Sequence, residues 1–194
     1  MTPCYFAPIS HWKEIIKGNI LWDLNLNFNK QTIRNRTLVY GPNKILKLII
    51  PIKHSKNSFT YNNAFIENAF PWQKKHWKSI KFSYKSSPYF EYYQDSLKIL
   101  YFKKYDKLSS FNFDCIKLIH EWLEIKFKIN LTKCYFDNYE TEIDLRNKSE
   151  KDYDDLFTVD EYIQVFSNKH GFKNNLSILD LIFNEGPNSL SFLK

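Results

Sequence analysis

The sequence predicts a mixed α/β domain, with a small mixed sheet, a β-hairpin near the N-terminus and a mostly helical C-terminal half. Three observations carry that prediction. Two β-rich runs, Thr32 to Tyr40 and Ile45 to Ile52, are joined by the turn residues Gly41-Pro42-Asn43-Lys44. Trp72, His76, Ile80 and Tyr84 recur every four residues, the stripe of an amphipathic helix. Ser177-Ile178-Leu179-Asp180 has the form of a capping box ahead of another apolar run.

The elements follow in order. Cys4 to Pro8 reads as a short buried strand stopped by proline. Ser10 caps a helix carrying Trp12, Ile15 and Ile16 that ends near Gly18, and Ile20 to Trp22 forms a second strand. That opening has a βαβ pattern. A short strand is expected near Asn63 to Glu67. Pro71 suits the first turn of the striped helix. Further helices are expected from Ser87-Pro88 to about Lys104 and from Phe111 to Leu123. Lys128 to Phe136 alternates as a strand. Residues 137 to 157 are the most polar part and read as a loop or flap. Thr158-Val159-Asp160-Glu161 is another capping box, predicting a helix through Tyr162, Val165 and Phe166 with Gly171 as its C-cap. The last helix ends at Gly186-Pro187. With 194 residues, no repeat and no dividing linker, the chain reads as one domain, 1–194.

Composition narrows the function. Hydrophobic content of 43 % and aromatic content of 18 % exclude wholesale disorder. The net charge of +7 is carried by scattered lysines, densest at Lys74-Lys75-His76-Trp77-Lys78. That scatter reads as a solvated surface and argues against nucleic acid as a partner. Cys4, Cys115 and Cys134 contain no C-x-x-C pair, and the histidines do not fall at metal-ligand spacings. No metal site is predicted and no cofactor is named. No apolar stretch is long enough for a membrane span, and no signal peptide is visible. A cytoplasmic, reduced protein is expected.

Against twenty-five lysines the chain has three arginines: Arg34, Arg36 and Arg146. On a strand, Arg34 and Arg36 share one face roughly 7 Å apart, with Asn35 on the other. Two planar guanidinium forks at that spacing suit an anion clamp, the alternative being a surface ion pair. His76, one turn after Trp72, is a candidate general base or a packed histidine. His11, at a helix N-terminus, is a candidate anion contact or an exposed first-turn residue. Asp180 is a candidate catalytic carboxylate or a local cap. Arg146 and Asp144 form a lid pair or a solvated ion pair. The predicted site is therefore catalytic His76 and Asp180, with Arg34, Arg36, Trp72, His11 and Arg146 binding an anionic small-molecule substrate.

The ordered stretches YFAPISHW, KQTIRNR with YGPN and LIIPI, PWQKKHWKSI with YKSSPYF, YIQVFSNKHGF and NLSILDLIFNEGP resemble the WbqC-like protein family. Motif positions carried over from the resemblance include Arg34, Asn35, Arg36, Gly41, Pro51, Trp72, His76, Tyr84, Pro88 and Phe90. Gln164, Phe166, Gly171, Ser177, Asp180 and Gly186 continue the set. Ile33 departs from it, standing where many relatives carry an aromatic residue. The resemblance implies a setting in surface polysaccharide biosynthesis, including O-antigen. It implies a transferase that attaches an aminoacyl or acyl group, or modifies a sugar. A non-catalytic scaffold in envelope assembly is the alternative. Convergence of Arg34, Arg36, His76 and Asp180 on one pocket is the expectation that separates the two.

Overall fold

The computed structural model describes residues 1–137, 144–146 and 158–194. Helix α1 (Ile9–Ile15) and strand β1 (Leu21–Trp22) precede the hairpin of β2 (Arg36–Tyr40) and β3 (Ile45–Ile49). A 3-10 turn at Tyr61–Asn63 leads to α2 (Trp72–Tyr84), α3 (Phe90–Phe102) and α4 (Leu108–Trp122). Strand β4 (Asn130–Leu131) then pairs with β1. The C-terminal part contributes α5 (Ser167–His170), α6 (Ile178–Glu185), a 3-10 turn at Gly186–Asn188 and α7 (Ser189–Leu193). Among the described residues the sheet is realised as two ladders, β1–β4 parallel and β2–β3 antiparallel. No helix among them is long and apolar enough to cross a membrane.

The hairpin register runs from Arg36 opposite Ile49 to Tyr40 opposite Ile45. Thr37 and Val39 of β2 and Leu48 of β3 are buried, while Lys47 and Ile49 face outward, the alternation expected of a half-covered ladder. Gly41 closes the turn by donating its N–H to the Lys44 carbonyl at 3.0 Å. A Cβ at Gly41 would lie 2.7 Å from Leu46 Cγ and 2.8 Å from the Lys44 oxygen, so the turn requires glycine. The predicted stripe of α2 is intact, for Trp72, His76, Ile80 and Tyr84 are all buried. One aromatic-rich core joins residues from Met1 to Leu193.

Several expectations are corrected. Cys4 to Pro8 is buried but not a strand, because Phe6 has a φ of 38°, which breaks an extended run. Its backbone is satisfied piecemeal: Tyr5 N–H donates to Ile33, and the Phe6 carbonyl accepts from Thr37 Oγ1 and Ser177 Oγ. The βαβ opening is therefore absent, and β1 pairs with β4 instead. The strand expected near Asn63 is reduced to isolated bridges, Ile52 with Ile66 and Phe65 with Lys107. The strand expected from Lys128 shrinks to Asn130–Leu131. Residues 158–164 are not helical, and α5 begins only at Ser167. Gln164 explains why: its side chain accepts from Lys173 N–H and donates to Lys173 O, imitating a strand partner. The polar loop from 137 to 157 lies mostly outside the described residues.

Candidate functional site

Arg34 and Arg36 do not form a clamp. β2 starts at Arg36, so Arg34 sits in the preceding turn and the shared strand face does not exist. Arg34 is 0 % exposed, with Nε donating to Thr2 Oγ1 at 3.3 Å. Its carbonyl accepts from Asn112 Nδ2 of α4 at 2.7 Å. Arg36 is half-buried on the outer face of β2, and its Nη1 donates to the Gln31 carbonyl at 3.1 Å. Asn35 binds the hairpin from between them, Nδ2 donating to Ile50 O at 3.0 Å.

His76 is buried in the core. Its Nδ1 is 2.9 Å from Tyr5 Oη, which is 2.5 Å from Tyr101 Oη. Burial pushes the imidazole down to about 4 and leaves it neutral near pH 7. It outweighs the Ile49 backbone of β3, which lies beside the ring and favours its protonated form. The bond to Tyr5 commits Nδ1 to the fold. Trp72 packs edge-on against His76 and Phe111, at 5.3 and 5.2 Å, and its Nε1 donates to Asn68 Oδ1. His11 is 3 % exposed within the first turn of α1.

Asp180 is the most elaborated buried acid. It accepts from Tyr84 Oη at 2.8 Å, Tyr162 Oη at 2.6 Å and Gln164 Nε2 at 2.8 Å, and is 0 % exposed. Burial pushes the carboxyl up to about 6, against the three hydrogen bonds that pull it down. Ser177 does cap α6, accepting from Leu179 N–H, but Asp180 does not complete the box. The Ser177 N–H is already bonded to Leu38 O, which leaves the carboxylate for the tyrosines.

Arg146 has all five donors in use. Nε meets Asp144, Nη1 meets Asp23 at 3.1 Å and Phe136 O at 2.7 Å, and Nη2 meets Asp137 O and Asp144. This arginine ties Asp144 to the β1 end of the fold and offers nothing to an exogenous anion. Its hydrogen bonds, aided by its charge, hold the Asp144 carboxyl below the ordinary carboxylate range.

The predicted residues thus do not gather around one opening: Trp72 and His76 pack together in the core, Arg34, Asp180 and Arg146 lie in other networks, and Arg36 lies on the outer face of β2. An opening does exist nearby. A cavity of about 500 Å³ lies between the hairpin turn and α2. Lys44, Lys75 and Lys78 stand around it, with Leu46 and Phe82 as its apolar surface. One buried polar tie holds its two walls together, for Tyr40 N–H donates to Tyr84 Oη at 2.9 Å. The hairpin turn is also tied to α5, where His170 Nε2 donates to Pro42 O at 2.8 Å. Two signals in the sequence pointed here. The densest lysine group falls on α2, where Lys75, Lys78, Ser79 and Phe82 share a face beside the buried stripe. The Gly41–Lys44 turn supplies the opposite wall. Their meeting is a long-range fact that periodicity does not encode. The partners of Asp180 were missed for the same reason. Among the described residues no group of His, Cys, Asp and Glu could hold a metal ion.

A model of the WbqC-like protein family matches residues 3–160. The chain belongs to the WbqC-like protein family. Comparison with curated proteins and with solved structures gives no match. The matched span of this WbqC-like chain contains both walls of the cavity, together with His11, Arg34, Arg36, Trp72, His76 and Arg146. It stops before Tyr162, Gln164 and Asp180, so the acid and two of its three partners lie beyond it.

Proposed function

We propose that this WbqC-like protein is a cytoplasmic transferase of surface polysaccharide biosynthesis whose anionic donor binds in the hairpin–α2 cavity. The transferred group is aminoacyl, acyl or sugar-derived, as the family resemblance implies. The observation that carries the reading is the cavity itself, in which three lysines surround an apolar surface. That pairing suits a ligand with a phosphate or carboxylate at one end and a flat or apolar body at the other. His76 and Asp180 enter as positioning residues. Asp180 fastens α2 towards the hairpin through Tyr84, whose hydroxyl also receives Tyr40 N–H, and His76 ties α2 to the N-terminal segment through Tyr5.

Thermal-shift measurements with nucleotide-sugars, aminoacyl donors and ATP test the site. The wild-type chain should be stabilised by one of these classes. The Lys44→Ala/Lys75→Ala/Lys78→Ala variant should lose that stabilisation, while its unliganded Tm moves by a few degrees at most. Stabilisation that survives the triple substitution puts the ligand elsewhere. Turnover with the stabilising donor then tests the transfer step.

One observation favours a second reading, a binding or scaffold protein in envelope assembly. Tyr92, Ile99 and Phe102 of α3 are 81 %, 71 % and 62 % exposed and lie on one face of the helix. Phe90 and Tyr93 of the same helix are buried and do not join the patch. Partner binding that survives the lysine variant but is lost in Tyr92→Ala/Phe102→Ala would support the scaffold.

A further inference from the structure

A second cavity, of about 250 Å³, is independent of the first and shares no lining residue with it. It lies where the chain leaving α4 passes the end of α1 and β1 on its way to β4. His120, near the C-terminus of α4, forms one wall. Its Nδ1 is 2.8 Å from the Ile116 carbonyl. The carbonyl can only accept, so Nδ1 carries the ring proton and Nε2 is left with a lone pair for the cavity. The ring is held from two sides, by Trp12 at 5.2 Å and Phe127 at 4.7 Å between centroids. Burial lowers the basicity of the imidazole below its ordinary value and keeps that lone pair available at neutral pH.

The other chemistry of the cavity is cationic. Lys126 and Lys128 line it on either side of Phe127, and none of its described lining residues is acidic. A fixed acceptor beside two cations, without a carboxylate to neutralise them, selects a narrow class of ligand. A bare carboxylate would meet the lysines but repel the Nε2 lone pair. A neutral alcohol would satisfy His120 but leave the lysines unused. The volume admits only a small molecule, on the order of eight water volumes.

We propose that this cavity binds a small oxyanion bearing a hydroxyl, of the hydroxycarboxylate or hydrogen-phosphate type. The O–H is donated to His120 Nε2, and the negative charge lies between Lys126 and Lys128.

The test is imidazole NMR of the full chain at neutral pH, titrated separately with glycolate, acetate and inorganic phosphate. Glycolate or phosphate should perturb the His120 Nε2 resonance, and glycolate should bind several-fold more tightly than acetate, which lacks the hydroxyl. The greater response of the two hydroxyl-bearing anions identifies which type the site prefers. Lys126→Ala/Lys128→Ala, both at exposed positions, should weaken glycolate by about five-fold. His120→Gln should abolish the preference for glycolate over acetate. Equal affinity for glycolate and acetate in the wild-type chain would overturn the role of His120, whether or not the His120 variant folds. No change at His120 with either hydroxyl-bearing anion would overturn the site.

Discussion

At the scale of single residues, the two neighbouring arginines illustrate how burial decides a role that residue type leaves open. Arg34 is sealed beside Thr2 and Cys4, whose thiol burial pushes up to about 12. Arg36 lies half-buried on the outer face. Arg34→Lys should destabilise the chain by roughly 2 kcal/mol or more, since an ammonium cannot reproduce the planar donor set in a sealed site. Arg36→Lys should stay within about 0.5 kcal/mol. Urea denaturation of both variants checks this, and equal costs would contradict the assignment. Asp180 and His76 are likewise set by burial, but in opposite directions. The folded chain holds the Asp180 proton up to about pH 6 rather than 3.8, so stability from this group is lost as pH rises through that interval. The folded chain releases the His76 proton by about pH 4 rather than 6.5, so stability from it is lost as pH falls. Between pH 4 and 6 the two slopes oppose. Asp180→Asn removes the falling one, so its stability should climb with pH more steeply than that of the wild type, by about 2 kcal/mol across the window. Apart from a constant offset, parallel stability curves for the two proteins would refute this.

At the scale of elements, the C-terminal end of α6 concentrates two constraints on one position. Gly186 has a φ of 53°, and a Cβ there would lie 2.5 Å from the Tyr89 ring. Gly186→Ala should cost roughly 2 kcal/mol or more, part from the backbone and part from the clash. Adding Tyr89→Ala should recover the steric part alone, so the double variant should be more stable than the sum of the singles predicts. Thermal denaturation of the set measures the coupling. Elements of this kind were the legible part of the sequence. The stripe of α2, the Gly41 turn of the hairpin and the Ser177 and Gly186 boundaries of α6 are local patterns, and each stands where the pattern put it. The failures came where a side chain found a distant partner. Thr158 to Glu161 has the spacing of a helix start, but Tyr162 and Gln164 are drawn to Asp180 and Lys173. Arg34 followed strand alternation only on paper, because the ladder begins two residues later. The site suffered most, since it depends on which loop meets which helix.

At the scale of the whole molecule, the two ends of the sequence build one another's backbone environment. Pro8 bridges Ser177, Ile9 N–H donates to Leu176 O, and Ile178 N–H donates to Ala7 O. Ile178, Leu179, Leu181, Ile182 and Phe183 are 0 % exposed, so α6 is a central element although it lies beyond the family match. A chain ended at residue 160 should therefore lack a cooperative transition and show collapsed amide dispersion by NMR. A folded 1–160 fragment would show that the N-terminal part closes its core alone. The same seam governs how the protein is made. The partners of Phe6 to Ile9, at 176 to 178, follow some 170 residues later in synthesis. At ordinary elongation rates that is a wait of roughly 10–35 s. Throughout it, the Ile9 N–H and the Ala7 carbonyl lack their native backbone partners, and the surface that α6 supplies is missing. The nascent chain is thus a natural client for a holding chaperone, and its yield should depend on the speed of translation.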